Sequence, residues 1–173
     1  IHVIQEEALG TAHAVKYALP HIDLDGNSVI LYGDTPFISL ETINQLNNKS
    51  TDAVIVAFQC NKPNRYGRLI TYNNDLLEIV EFNDASDEEK LITLCNSGIY
   101  SIKNTHLHEF IPLIKNLNSK KEFYLTDIVK IISQKDVTCS VLEIDEKEVM
   151  GFNTREELSI AQDIMQEKIA SKL

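Results

Sequence analysis

Apolar and polar positions alternate along the chain with two different periods. Short runs rich in β-branched residues, the mark of strands, fall at residues 2–4, 28–32, 53–59, 94–102 and 138–143. Stretches of helical period fall between them, at residues 10–19, 40–46, 105–117, 125–134 and 154–172. This interleaving predicts an α/β fold. S-V-I-L-Y at 28–32 and A-V-I-V-A-F at 53–58 are almost continuously apolar, as expected of central strands covered by helices on both faces. Two further runs, 68–72 and 77–82, flank Asn73-Asn74-Asp75, a turn-forming cluster that predicts a local hairpin. Thr126 and Asp127 are placed to cap the fourth helix. The last helix opens with Thr154 and Glu157 at capping-box spacing and sets Leu158, Ala161, Met165 and Ile169 on one face.

Composition narrows the function. A chain of 173 residues, 43% of them hydrophobic, is long enough for one domain with a real core, which excludes intrinsic disorder. Lys and Arg number 16 against 26 Asp and Glu, a net charge of −10. Neither a nucleic-acid backbone nor an anionic membrane is an expected partner, because both are read by clustered cations. A small anionic ligand would need a metal ion or local cations to offset the field. No apolar run approaches the roughly 18 to 20 residues of a membrane span, and the N-terminus lacks a signal-peptide pattern, so a soluble cytoplasmic protein is expected. Cys60, Cys95 and Cys139 are widely separated, without metal-ligand spacing, and read as reduced, mostly buried side chains.

Candidate chemistry gathers in the loops that follow the strands. Asp34 follows the apolar run in V-I-L-Y-G-D-T-P, at the strand end where open α/β sheets bind ligands. A carboxylate there suits Mg²⁺, which takes one or two protein oxygens plus substrate phosphates; the alternative is a plain turn through Gly33-Asp34-Thr35-Pro36. In Gln5-Glu6-Glu7-Ala8-Leu9-Gly10-Thr11, a loop leads into a helix, offering free N–H groups to an anion or a base carbonyl. The Gln5 amide both donates and accepts, and Gly10 allows close backbone approach; the alternative is an ordinary loop with Thr11 as cap. Tyr66-Gly67-Arg68, Glu81, Asn96-Ser97-Gly98 and Glu122-Phe123-Tyr124-Leu125-Thr126-Asp127 offer the neutral amides, carboxylate and hydroxyls that a sugar requires, although Glu81 adjoins a charged run at 84–90 that reads as a solvated face. Asn96 interrupts an apolar strand, so its amide must find partners or a ligand. Asn153 precedes the last helix, as its cap or as a neutral oxygen for a metal. The histidines, including His106 and His108, two residues apart, have no paired ligand and read as structural or surface groups.

In this order, L-G-T-A-H-A, L-Y-G-D-T-P-F-I, Y-G-R-L, I-V-E-F-N-D-A, N-S-G-I-Y, E-F-Y-L-T-D-I and G-F-N-T-R resemble a known family. It is the uridyltransferase domain of the bacterial bifunctional N-acetylglucosamine-1-phosphate uridyltransferase / glucosamine-1-phosphate acetyltransferase, GlmU. The resemblance implies a Rossmann-like nucleotidyltransferase fold, with a mixed, mostly parallel sheet flanked by helices and a small β-hairpin insertion. It implies Mg²⁺-dependent transfer of UMP from UTP to N-acetylglucosamine 1-phosphate, giving UDP-N-acetylglucosamine for peptidoglycan and lipopolysaccharide precursors, and pyrophosphate. Gln5 and Gly10 would contact the uracil, with Thr11 beside them, Asp34 and Asn153 would hold Mg²⁺ as the catalytic pair, and Gly67, Glu81, Asn96, Tyr124 and Thr126 would line the sugar side. Phe152 stands where the family often has Val.

The family's glycine-rich loop, L-A-A-G-x-G-T-R-M, with the lysine that follows it, has no counterpart here, and the chain begins with Ile1. At roughly 30 residues per βαβ unit, the segment before Ile1 should comprise about two units. The family's left-handed β-helix, with its acetyltransferase and homotrimer contacts, has no counterpart either. The expectation is a fragment of a longer enzyme, with residues 1–153 as a partial uridyltransferase domain and 154–173 as a helix leading towards a second domain. Another sugar-1-phosphate nucleotidyltransferase, or a non-catalytic sugar-nucleotide-binding domain, are the alternatives.

Overall fold

The structure is a computed structural model that describes residues 1–60 and 64–150, together with positions 162, 165 and 166. Asn153 and nearly all of the expected last helix lie outside the described residues; the three isolated positions are helical. The described elements run α1 (Thr11–Ala18), β1 (Asn27–Ile30), α2 (Leu40–Asn48), β2 (Ala53–Gln59), β3 (Arg68–Tyr72), β4 (Asp75–Val80), β5 (Leu94–Lys103), α3 (Asn104–Phe110), α4 (Asp127–Ser133) and β6 (Cys139–Ile144).

The strand β2 lies between β5 and β6, and its residues Ala53 to Phe58 are all buried. Its period-two alternation divides the core in two. Ala53, Ile55 and Ala57 join Tyr100 and Ile102 of β5 and Leu107, Phe110, Ile128 and Ile132 of α3 and α4. On the opposite face, Val54, Val56 and Phe58 join Cys95, Ile99 and Leu46 of α2. Ser39 caps α2, its hydroxyl accepting from the Thr42 amide at 3.1 Å. Glu148 ties this helix start to the far end of the chain, accepting from the Ser39 amide and the Thr42 hydroxyl at 2.8 Å each.

The sheet is mixed, as expected, but its parallel share is smaller than expected. Among the described strands only β2 and β6 run parallel; β5 is antiparallel to β1, β2 and β3, and β3 is antiparallel to β4. The β3–β4 hairpin forms as predicted, through Asn73 and Asn74 at φ 51° and 70°. Two successive left-handed residues make the tight turn whose twist matches the strands, and asparagine tolerates that conformation best after glycine.

Other expectations give way for identifiable reasons. Residues 2–4 form no strand: Ile1 and Ile4 are 94% and 79% exposed, and no described strand lies alongside to take up their backbone hydrogen bonds. The strand β1 is a half-exposed edge and not a central strand, because β5 is its one partner among the described residues. The helix expected at 105–117 ends at Phe110 and passes into a 3-10 turn, Ile111–Leu113, where Pro112 has no N–H to continue the ladder. Neither Thr11 nor Thr126 caps a helix with its side chain. Both hydroxyls are engaged elsewhere, as described below.

The feature that positions the site is a bend within β5. Ile55 of β2 pairs with Tyr100, but Ala57 pairs with Asn96, so β5 carries two residues more than β2 over this stretch. Gly98 sits in the bulge at φ +80°. Side chains replace the ladder bonds lost there: the Ser97 hydroxyl donates to Val56 O at 2.7 Å and accepts from the Ile99 amide at 3.1 Å, and Asn96 Oδ1 accepts from the Gly98 amide at 3.2 Å. Beyond the bend, Tyr100 to Lys103 pair with β1; before it, Cys95 pairs with Arg68 of β3. The edge of β5 is thus shared by two strands that part at residues 96–98.

At the other end of the sheet, Asp52 fastens three elements. Its carboxylate accepts from Lys103 Nζ at 2.8 Å and from the Thr138 amide and hydroxyl at 3.1 and 2.6 Å. The Lys103 hydrogen bond, with those from Thr138, holds the Asp52 carboxyl well below the usual carboxylate range. A depressed carboxyl stabilises the fold above its unfolded pKa of about 4 and loses that contribution as pH falls below it. Asp52→Asn is expected to cost about 1–2 kcal/mol at pH 7, with the difference shrinking as denaturant melts are repeated from pH 4 downward. A constant difference across that window contradicts the assignment. At the bend, Gly98→Ala places its Cβ 2.3 Å from Tyr32 Cε2 in a left-handed backbone, and a loss of roughly 1–3 kcal/mol is expected. Adding Tyr32→Ala should recover part of that loss, because it removes the clash and leaves the backbone strain.

Candidate active site

The parting of β1 and β3 leaves a cleft of about 270 Å³ over the bend. Asn96, Ser97 and Gly98 line it from β5, Tyr32, Asp34 and Thr35 from the loop after β1, and Arg65, Tyr66 and Gly67 from the approach to β3. Glu81, one residue past β4, and Val149 complete it. A second cavity of about 440 Å³ adjoins it and shares Tyr32, Arg65 and Glu81; Thr11, Lys120, Glu122 and Tyr124 lie on its far side.

Each wall has a local cause. The loop after β1 turns because the amide and hydroxyl of Thr35 donate back to Tyr32 O, at 3.4 and 3.0 Å. The Tyr32 ring lies against Gly98, which could not carry a side chain there. Burial pushes the Tyr32 hydroxyl up from its ordinary range, the Thr11 hydroxyl beside it opposes that, and the Glu81 and Asp34 carboxylates add to the rise. On the opposite wall the Gly67 carbonyl accepts from the Asn96 amide at 2.9 Å, and a Cβ on Gly67 would meet Ile79 Cγ2 at 3.1 Å. The buried guanidinium of Arg68 donates to Asn64 Oδ1 at 2.8 Å, to Tyr66 O and to Lys90 O, fixing the loop that carries Arg65 and Tyr66.

The structure brings most of the expected residues around these two cavities. Asn96 is buried, and its Nδ2 donates to the fully buried Tyr100 hydroxyl at 2.9 Å. Glu81 accepts from the Thr126 hydroxyl at 3.1 Å. Burial raises the Glu81 carboxyl, with Asp127 and Asp84 adding to the rise and Thr126 and Lys120 opposing it. Thr126 lines neither cavity and reaches them through Glu81. The Thr11 hydroxyl accepts from the Leu125 amide at 2.9 Å, joining the start of α1 to the segment that carries Tyr124.

Gln5 and Gly10 line neither cavity. The Gln5 amide donates to Gly10 O at 3.3 Å and meets His13 Nδ1 at 3.0 Å. Gly10, at φ +113°, does permit a close backbone approach, and the approaching group is the Phe123 peptide, whose oxygen would lie 2.5 Å from a Cβ. Tyr32, Arg65 and Gly98 are among the lining residues given no role from the sequence. Tyr32 reads there as the end of an apolar strand. For Gly98 a signal existed, since a glycine within an apolar strand marks a bulge.

Asp34 presents an exposed carboxylate to the first cavity, with no ion pair among the described residues. No group of three His, Cys, Asp or Glu side chains among the described residues could enclose a metal. One hard, unpaired oxygen donor beside a cavity fits Mg²⁺, which completes its shell with water and substrate phosphates and needs no all-protein cage.

Comparisons with known proteins agree with this architecture. The chain is 42% identical over 171 residues to "Bifunctional protein GlmU" of Roseobacter denitrificans, covering 97% of this chain and 38% of that protein. It is 45% identical over 163 residues to the protein of the same name from Cereibacter sphaeroides, covering 92% and 36%. The chain therefore spans little more than a third of the length of these curated relatives. Among solved structures, the nucleoside-diphosphate-sugar pyrophosphorylase from Vibrio cholerae superposes with a TM-score of 0.68 at 18% identity, covering 90% of this chain and 66% of that one, a likeness of fold. No helix among the described residues is long and apolar enough to cross a membrane. The sequence model of the family described as "Nucleotidyl transferase" matches residues 2–148, and the chain belongs to that family.

Proposed function

We propose that this chain is the larger part of a uridyltransferase domain that makes UDP-N-acetylglucosamine and pyrophosphate from UTP and N-acetylglucosamine 1-phosphate. The observation that carries the reading is the cleft over the β5 bend. A buried amide, a half-buried carboxylate and hydroxyls converge there on a space of sugar size, beside the exposed carboxylate of Asp34. Likeness to GlmU proteins over nearly the whole chain supports the choice of uridine and of the N-acetyl sugar.

In this reading a phosphate oxygen of the sugar 1-phosphate attacks the α-phosphorus of UTP in line. A new P–O bond forms, the bond from the α-phosphorus to the bridging oxygen breaks, and pyrophosphate leaves with that electron pair. No side-chain nucleophile is required, so the protein contributes position and electrostatics. Asn96, its amide locked by Tyr100 and the Gly98 N–H, and Glu81, held by Thr126, orient the sugar hydroxyls. Gly67 contributes its backbone to the wall facing Tyr32. Tyr124 closes the adjoining cavity, and Gln5, Gly10 and Thr11 are assigned to the uracil by the family resemblance. Asp34, and Asn153 by that resemblance, would hold Mg²⁺, which when bound neutralises phosphate charge and polarises the α-phosphorus.

In the intact protein, Asp34→Ala should lower turnover by about a thousandfold or more while leaving the melting temperature close to that of the parent. Activity near the parent level would remove Asp34 from the chemistry. Rates with UTP against dTTP, and with N-acetylglucosamine 1-phosphate against glucose 1-phosphate, test the substrates. The reading requires the first of each pair to be preferred, and the reverse preference would make the chain a different sugar nucleotidyltransferase.

A further inference from the structure

Arg65 stands where the two cavities meet and lines both. Although exposed, its guanidinium is held from two directions: it donates to Asn83 Oδ1 at 3.2 Å and lies 5.6 Å from the centroid of the Phe82 ring. Among the described residues it makes no ion pair with a carboxylate. The same ring gathers two more cations, Arg68 at 5.8 Å and Lys90 at 5.6 Å. Arg68 is buried and directs its donors to neutral oxygens, so its charge is not cancelled by an ion pair. Lys90 is paired with Asp87 at 3.4 Å, so Arg65 and Arg68 are the cations around this ring that have no carboxylate partner among the described residues.

The other ionisable groups that reach the first cavity set the requirement. Asp34 and Glu81 are both acidic, and a dianion entering between them would meet repulsion. Among the described residues, Arg65 is the one Lys or Arg lining that cavity. Sugar hydroxyls alone are satisfied by amides and carboxylates, whereas a phosphate is matched by the planar fork of a guanidinium, which donates two parallel hydrogen bonds. Asn83 and Phe82 hold that fork at the mouth between the cavities, where the phosphate of a sugar seated over the bend would lie.

We infer that Arg65 binds the phosphate of the sugar 1-phosphate, and is the contact by which the cleft prefers the phosphorylated sugar to the free sugar. This inference rests on the sugar-phosphate reading given above. The test is a titration of the intact protein with N-acetylglucosamine 1-phosphate and with N-acetylglucosamine, in parallel with turnover assays on UTP. Arg65→Gln should weaken the phosphorylated sugar about ten- to a hundredfold and leave the free sugar within about twofold. Arg65→Lys should fall between, keeping the charge without the fork. Lys90→Gln removes one charge beside the same ring without lining either cavity, and should weaken the phosphorylated sugar by less than about threefold.

Equal losses for Arg65→Gln and Lys90→Gln would reduce the effect to a general field and overturn the contact. So would an Arg65→Gln protein that turns over with parental affinity for the sugar phosphate, while leaving the proposed function standing. Arg65-dependent binding without turnover on UTP would retain the inference and overturn the function. Absence of binding in the parent overturns both.

Discussion

The site depends on the bend in β5. A regular strand would pair along its whole edge with one neighbour and leave no opening. With two additional residues opposite β2, β5 turns between Asn96 and Tyr100 and presents its edge first to β3 and then to β1. The parting of those two neighbours is the cleft. The bulge frees backbone groups in the interior, and Asn96 and Ser97 satisfy them with buried side-chain bonds. Gly98 is required twice, for its left-handed backbone and for the Tyr32 ring packed against its Cα. The polar residues of N-S-G thus hold the bend and floor the site together.

Charge organises what the bend opens. The chain is strongly acidic, and the carboxylates of Asp34 and Glu81 face the same cavity. Burial holds the Glu81 carboxyl above its ordinary range. Cations are placed around Phe82, on the wall that carries Arg65, and so the positive and negative groups of the cleft come from different strands. In the proposed reading a sugar lies over the Asn96 amide with its phosphate turned to the Arg65 wall and the Asp34 side left for a divalent ion. The architecture matches the nucleotidyl transferase family.

Much of the fold was legible in the chain because some segments obey a single constraint. The run at 53–59 is apolar on both faces and became the central strand, and Asn73-Asn74 became a hairpin turn because two left-handed residues were affordable there. Segments at 2–4 and 28–32 misled, since β-branched apolar residues signal a strand but not whether neighbours exist to cover it. Thr11 and Thr126 look like helix caps locally. Tertiary contacts turn their hydroxyls to Leu125 and Glu81, and no local pattern reveals that. Asp34, Gly67 and Glu81 were recognisable as polar or flexible residues beside strand ends, and Asn96 as a polar interruption of an apolar strand. Arg65 was not, because its meaning comes from Asn83 and Phe82 far along the chain.

The most direct test of this account is a crystal structure of the intact protein with N-acetylglucosamine 1-phosphate bound. The account predicts the sugar ring over Asn96 to Gly98, between Tyr32 and Gly67, with its phosphate against the Arg65 guanidinium and within reach of Asp34. A sugar phosphate bound on another face of the sheet, with the space over the β5 bend filled by protein, would contradict it.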